Sequence, residues 1–179
     1  MKKIIQFFIF SGAVLFTYFS CKKESITPTP VPVNTPEFIA DDNTFTDYNK
    51  WTLLAERTGK DPLLGIFHNA DVPGIIRKVY IKDNAQRVNG QYPVGTIIVK
   101  EYRNANGTLA DFDQLAMVKR GGVSFNTAFN NWEWFRLDRT NTKIAVIAGE
   151  IIRGGTLGDN ACNNCHSGAK NKDLVFTGN

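Results

Sequence analysis

The sequence predicts an α+β domain in which a mainly antiparallel sheet of about five strands is flanked by a few helices. Two observations carry this prediction. Short runs of β-branched and aromatic residues, each bounded by Gly, Asn, Asp or Pro, dominate the middle of the chain. The connections between these runs are short, which favours an antiparallel meander. The predicted strands are residues 75–81, 96–102, 114–119, 132–137 and 143–148.

Turn and helix signals complete this arrangement. Asn106-Gly107, a favoured pair for a tight hairpin turn, lies between the second and third predicted strands. Residues 138–142 (DRTNT) are a second hairpin candidate. Residues 43–57 place apolar side chains at helical spacing after plausible caps, which predicts an N-terminal helix. A short C-terminal helix is predicted to begin near Ala161.

The first 35 residues have the composition of an export signal followed by a linker. Two lysines precede an apolar run over residues 4–19, and Ser20 and Cys21 come next. This pattern predicts a signal peptide over residues 1–20. Because Cys21 directly follows a small residue, the segment resembles a bacterial lipoprotein signal, in which cleavage leaves the cysteine as a lipidated N-terminus. An ordinary secreted protein with an unmodified Cys21 is the alternative.

The linker and the remaining domain follow from composition. Residues 21–35 are rich in Pro and Thr, which favours extended backbone over a packed core. Residues 36–179 are long enough to form one domain with a hydrophobic core. Loss of residues 1–20 removes two lysines, so the formal net charge falls from +4 to +2. The remaining cations are interspersed with Asp and Glu and do not form a basic stripe, so nucleic-acid binding is not expected.

A CNNCH pentapeptide near the C-terminus carries the predicted chemistry. Cys162, Cys165 and His166 have the residue types and the spacing of a c-type haem attachment site. Two thiols three positions apart on one helical turn reach the two vinyl groups at one porphyrin edge, and the next imidazole reaches the iron. Two neighbouring cysteines in an exported protein ordinarily form a disulfide. Thioether bonds to haem would explain why this pair is kept in a C-x-x-C-H motif.

Three other interpretations of CNNCH remain open. A zinc site needs four ligands, and outside the pentapeptide the domain adds only His68 and carboxylates. A thioredoxin-like redox pair opens a long helix, whereas here only thirteen residues follow His166. A local disulfide without a cofactor is the third interpretation.

Further sequence blocks accompany CNNCH in a characteristic order. The segment CNNCHSGAKNKDLVFT contains Asp, an apolar residue, Val and Phe at residues 173–176, and is similar to the closing pattern of the cytochrome P460 family, which includes the cytochromes c′-beta. Upstream, KWTLL, HNADVPGIIRKVYIKDNA, YPVGTIIVKEY, AMVKR and NWEWF occur in the order that the family shows. The resemblance covers residues 48–176.

The resemblance implies a mainly antiparallel β fold that is often homodimeric. It also implies one haem c, attached to Cys162 and Cys165, with His166 as the proximal ligand and an open distal side. P460 enzymes oxidise hydroxylamine with a porphyrin-linked lysine and a proton-handling carboxylate. The c′-beta members bind gases such as nitric oxide in an apolar pocket.

These implications lead to a functional prediction with two alternatives. We expect an exported cell-envelope lipoprotein, in the periplasm or at the outer membrane, that holds one covalent haem c. Its expected chemistry is redox conversion of a small nitrogen compound such as hydroxylamine or nitric oxide, with another cytochrome as redox partner. A non-catalytic gas-binding haem protein and a six-coordinate electron-transfer cytochrome are the alternatives.

Candidate residues for the distal side follow from the strand pattern. Lys100 lies on the second predicted strand, where alternation places it on the face of Ile98, and it is the candidate for a porphyrin cross-link. Glu133, within NWEWF, is the candidate proton-handling carboxylate. Competing residues of the same types are Lys78, Lys119 and Glu101. As a sixth iron ligand, the candidates are His68 and Met117.

Overall fold

A computed structural model describes residues 36–59 and 72–176. These residues belong to one compact unit, Asn34–Asn179. The predicted signal peptide, Cys21, the linker and His68 lie outside the described residues. Within the described part of the chain, no helix is long and apolar enough to span a membrane.

A six-stranded antiparallel sheet forms the framework, which confirms the predicted α+β class. The strands in chain order are β1 (Thr52–Thr58), β2 (Ile76–Ile81), β3 (Ile97–Arg103), β4 (Gln114–Lys119), β5 (Trp132–Leu137), β6 (Val146–Ile147), β7 (Glu150–Ile151) and β8 (Arg153–Gly154). The sheet order is β1-β2-β3-β4-β5-β8, and β6 pairs with β7 in a separate hairpin. Four predicted strands therefore correspond to β2, β3, β4 and β5 and agree within one residue at each end.

The helix predicted over residues 43–57 is wrong. That segment contains a 3-10 turn, Tyr48–Lys50, followed by β1. Strand β1 pairs with β2 from Thr52 to Thr58, with an irregularity between Leu53 and Ala55. The exposed edge of β2 thus satisfies the backbone hydrogen bonds of this segment, and this long-range pairing overrides a weak local helix signal.

The strand predicted over residues 143–148 is also only partly correct. Ile144 forms a single bridge to Leu137, and β6 then turns back into β7. Ala148 and Gly149 form the turn with φ values of 52° and 86°, the left-handed conformation that tight hairpins need. Because the chain reverses here, β8 instead of this segment extends the sheet beyond β5.

Side chains alternate between the two faces of the sheet, and a different segment of the chain packs on each face. We define the helix-side face by four residues that are in register across β2 to β5: Ile81, Ile98, Met117 and Trp134. Leu174 and Val175 of the C-terminal segment pack on it. The opposite face carries Tyr80, Val99, Ala116 and Phe135 in register, and N-terminal residues including Phe45 cover it.

Candidate functional site

Helix α1 (Ala161–His166) carries all three residues of the CNNCH chemistry, and it begins at the predicted residue. Cys162 and Cys165 are three positions apart and therefore share one side of a helical turn. Both are half-buried thiols that form no disulfide. Burial raises the pKa of the Cys162 thiol, which packs against the helix-side face. The two thiols are thus held side by side at the surface of an apolar cluster.

Asn163, between the two cysteines, fixes the orientation of α1. Its side chain is fully buried. Its oxygen accepts a hydrogen bond from the Trp134 indole at 2.7 Å, and its amide donates to the Gly155 carbonyl at 2.7 Å. These bonds prevent rotation of α1 about its axis and so direct both thiols. Sequence reasoning missed this residue because a single sequence gives no signal at the variable positions of C-x-x-C-H.

His166 is held between two aromatic rings and a backbone carbonyl. Its ring centroid lies 4.6 Å from that of Trp134 and 5.4 Å from that of Phe176. Nδ1 lies 2.6 Å from the Leu174 carbonyl oxygen. Because a carbonyl oxygen only accepts, Nδ1 carries the proton and Nε2 carries the lone pair. This is the second-sphere arrangement that orients metal-ligating histidines in proteins.

The protonation state of His166 agrees with that assignment. Burial lowers the pKa of His166, the hydrogen bond to Leu174 opposes the shift, and the positive charge of Lys100 lowers the pKa further. The imidazole is therefore neutral at neutral pH, which is the form that can bind a metal.

A buried ion pair anchors the chain next to Leu174. Asp173 is 1% exposed, and Lys119 Nζ lies 2.8 Å from each of its carboxylate oxygens. The carboxylate also accepts from the Tyr92 backbone N–H and the Asn130 amide, both at 2.7 Å. The Trp132 indole donates to the Asp173 carbonyl at 2.8 Å. We call this set of contacts the Asp173 anchor.

The Asp173 anchor fixes the orientation of the Leu174 carbonyl, which accepts the hydrogen bond from His166. Asp173 and Leu174 have φ values of 54° and 65°. The left-handed conformation is unfavourable for a branched residue such as Leu174, so surrounding contacts must hold it. Lys119, a competing candidate for the cross-link, forms the ion pair of this anchor with Asp173.

The structure brings Lys100 to the same face as His166. It lies in β3, in register with Val79 and Leu115, and its side chain is half-buried on the helix-side face, as alternation predicts. Its positive charge contributes to the lowering of the His166 pKa. Lys78, on the neighbouring strand, faces the opposite side and forms an ion pair with Glu56 at 3.3 Å.

The structure does not bring Glu133 to this site. Glu133 points to the opposite face, because it alternates with Trp134 along β5. It is 2% exposed and accepts hydrogen bonds from Arg153 at 2.8 and 3.0 Å. Glu101 also lies on the opposite face, where it binds Tyr48 and Arg103. Both carboxylates therefore stabilise the fold on the side away from α1.

Of the two residues considered as a sixth iron ligand, the structure describes Met117 but not His68. Met117 is buried in the middle of the helix-side face, between Ile98 and Trp134, as a core residue. Its thioether therefore packs in the same cluster that supports the ring of His166. His68 lies outside the described residues, so its role stays a prediction.

The donor set fits a covalently held porphyrin. Two thiols point from one helical turn, the adjacent imidazole presents Nε2, and the surroundings are aromatic and aliphatic. In residues 36–59 and 72–176, no group of three or more His, Cys, Asp or Glu side chains is placed to hold a metal ion.

Comparison with known protein families gives one match. The family model described as Cytochrome P460 matches residues 45–177, which include the whole sheet and the CNNCH motif. A search of curated proteins found no significant match.

Proposed function

Since this chain belongs to the cytochrome P460 family and is therefore a c-type haem protein, we propose that Cys162 and Cys165 attach one haem and that His166 ligates its iron. The observation that carries this proposal is the hydrogen bond from His166 Nδ1 to the Leu174 carbonyl. It selects the tautomer with a lone pair on Nε2, directly after two thiols of matching spacing.

The bound haem would supply a redox-active iron with one position for a small ligand. Residues of this chain prepare the proximal side. Trp134 and Phe176 contact the imidazole ring and limit its rotation. Burial lowers the pKa of His166 and so favours the neutral imidazole that can ligate a metal. Met117 is buried in the apolar cluster of the helix-side face, which argues against a Met-ligated electron carrier.

We propose redox conversion of a small nitrogen compound, such as hydroxylamine or nitric oxide, as the reaction. Lys100 supports this choice, because it is a half-buried amine on the helix-side face and the family resemblance implies a porphyrin-linked lysine. Another cytochrome is the proposed redox partner, and a homodimer is proposed from the family resemblance alone.

A second candidate function has a specific observation in its favour. Glu133 and Glu101, the two carboxylates considered for proton transfer, both lie on the opposite face and bind arginines. Because neither carboxylate lies on the helix-side face, a gas-binding protein of the c′-beta kind is the alternative. Its apolar pocket would bind nitric oxide without turnover.

The absorption spectrum of the reduced holoprotein tests these functions. We expect a strongly red-shifted Soret band in the wild type and an ordinary c-type band in Lys100→Arg, because arginine keeps the charge but cannot form the link. Lys78→Arg, on the opposite face, is the matched control and should match the wild type.

Other spectra would favour the alternatives. An ordinary five-coordinate spectrum that Lys100→Arg leaves unchanged would favour the gas binder. A low-spin six-coordinate spectrum would identify an electron carrier and contradict both proposals.

We propose that the protein is a cell-envelope lipoprotein, in the periplasm or at the outer membrane, anchored through Cys21. The support is the charged and apolar pattern of residues 1–20 followed by cysteine. Mass spectrometry of the mature N-terminus should find Cys21 as the first residue with covalent lipid, and Cys21→Ser should remove the lipid. A mature chain that retains residues 1–20, or begins at an unmodified residue, would contradict this prediction.

A further inference from the structure

The hairpin turn formed by Asn89 and Gly90 is exposed and held only from its flanks. Both residues are exposed, and their φ values of 52° and 81° are typical of a two-residue hairpin turn. Val88 N–H donates to the Gln91 carbonyl at 2.8 Å, and Gln91 N–H donates to the Val88 carbonyl at 3.1 Å. Within the described residues, neither the Asn89 side chain nor the Gly90 N–H forms a hydrogen bond. No contact of the fold therefore holds the side-chain amide of Asn89 away from the Gly90 nitrogen.

A second Asn-Gly pair, Asn106-Gly107, is also exposed but is held by its own hydrogen bonds. The Asn106 side-chain oxygen accepts from the Thr108 N–H at 3.1 Å and from the Thr108 hydroxyl at 2.7 Å. The Gly107 N–H donates to the Asn104 carbonyl at 2.9 Å. The fold thus gives two exposed copies of one dipeptide different surroundings, and only the first leaves the side-chain amide and the next backbone nitrogen unengaged within the described residues.

The two groups that meet in an Asn-Gly pair can react with each other. The backbone nitrogen of the glycine loses its proton to water or hydroxide and attacks the side-chain carbonyl carbon of the asparagine. A carbon–nitrogen bond forms, ammonia leaves, and a five-membered succinimide ring results. Water then opens the ring at one of its two carbonyls, which gives aspartate or isoaspartate. Glycine favours the attack because it has no Cβ to obstruct the approach, and the reaction needs neither an oxidant nor a cofactor.

We propose that Asn89 is a site of spontaneous deamidation in the folded protein and that the fold protects Asn106. At Asn89 the reacting atoms are exposed to water, and a Cβ added to Gly90 would meet no other heavy atom within 4 Å beyond its chain neighbours. At Asn106 the hydrogen bonds to Thr108 must break before the side chain can turn toward the backbone nitrogen. The modification does not involve the proposed haem.

The products change the turn in two ways. Both replace a neutral amide by a carboxylate, which is negatively charged at neutral pH. Isoaspartate also routes the main chain through the former side chain, which lengthens the turn by one atom. A two-residue turn fixes the register of its hairpin, so the longer turn no longer fits the pairing of Val88 with Gln91. The next residue, Tyr92, donates to Asp173, and the modification therefore lies beside the Asp173 anchor.

The test incubates the purified holoprotein at neutral and at mildly alkaline pH, in the folded state and in denaturant. Peptide mapping by mass spectrometry measures conversion at each Asn-Gly pair, and labelling by an isoaspartyl methyltransferase detects isoaspartate. In the folded protein we expect Asn89 to convert several-fold faster than Asn106. Conversion should be faster at the higher pH, because the attacking nitrogen must lose its proton. In denaturant the two pairs should convert at similar rates, because the hydrogen bonds that protect Asn106 are then lost.

Two variants are matched controls. Asn89→Gln should abolish conversion at the first turn, because glutamine would have to form a less favourable six-membered ring. Thr108→Val removes the hydroxyl that binds the Asn106 side chain, so conversion at Asn106 should become faster while Asn89 in the same chain keeps its rate. In the isoaspartyl fraction of the wild type, hydrogen exchange at the Gln91 amide should be faster than in the unmodified protein.

The comparison of the two turns decides the proposal. Equal rates in the folded protein, or faster conversion at Asn106, would overturn it. The same preference for Asn89 in denaturant would also overturn it, since the sequence alone would then account for the difference. Failure of the proposed haem attachment is seen separately as the absence of covalent haem, and it leaves the comparison of the two turns unaffected.

Discussion

The double variant Cys162→Ala/Cys165→Ala is expected to contain no covalently bound haem. Each cysteine supplies one thioether, so each single variant should retain a haem attached by one bond. Haem staining after denaturing electrophoresis and the mass of the intact chain measure this directly. Asn164→Ala is the matched control, since this exposed residue lies between the cysteines and makes no side-chain hydrogen bond within the described residues. Unchanged covalent haem in the double variant would refute the central proposal.

Asp173→Asn is expected to lower the free energy of unfolding by about 3–5 kcal/mol. The substitution keeps the size of the side chain but leaves Lys119 as a buried cation without its counter-charge. Denaturant unfolding monitored by circular dichroism measures the change. The Asp173 anchor also positions the Leu174 carbonyl, so hydrogen exchange at His166 Nδ1 should become faster in the variant.

A double variant isolates the cause of that loss. Asp173→Asn/Lys119→Met removes both charges, and it should be more stable than Asp173→Asn alone because no buried charge is left unpaired. Asp113→Asn is the control, since its partner Arg136 is partly exposed and exposed ion pairs contribute little. A stability of Asp173→Asn within about 0.5 kcal/mol of the wild type would contradict the buried ion pair.

Local sequence patterns predicted most of the sheet. Strands β2 to β5 are rich in β-branched and aromatic residues, and their own side chains favour extended backbone. Strand β1 was not recognised, because most of its side chains are exposed and it depends on pairing with β2. The short strand β8 also depends on its neighbour, β5.

The candidate site could be predicted only in part. The spacing of Cys162, Cys165 and His166 is local, and alternation correctly placed Lys100 on one face. Alternation could not predict the face on which Glu133 lies. Strand β5 is buried on both faces, so its sequence has no apolar–polar alternation from which the orientation could be read.

The sequence by itself determined the helical turn of CNNCH and the four strands β2 to β5, because those depend on residues a few positions apart. Only the tertiary structure decided what surrounds them. The partners of Asp173 lie as far away along the chain as Tyr92. Such contacts form when distant segments meet in the folded core, where a buried charge without a partner is energetically costly.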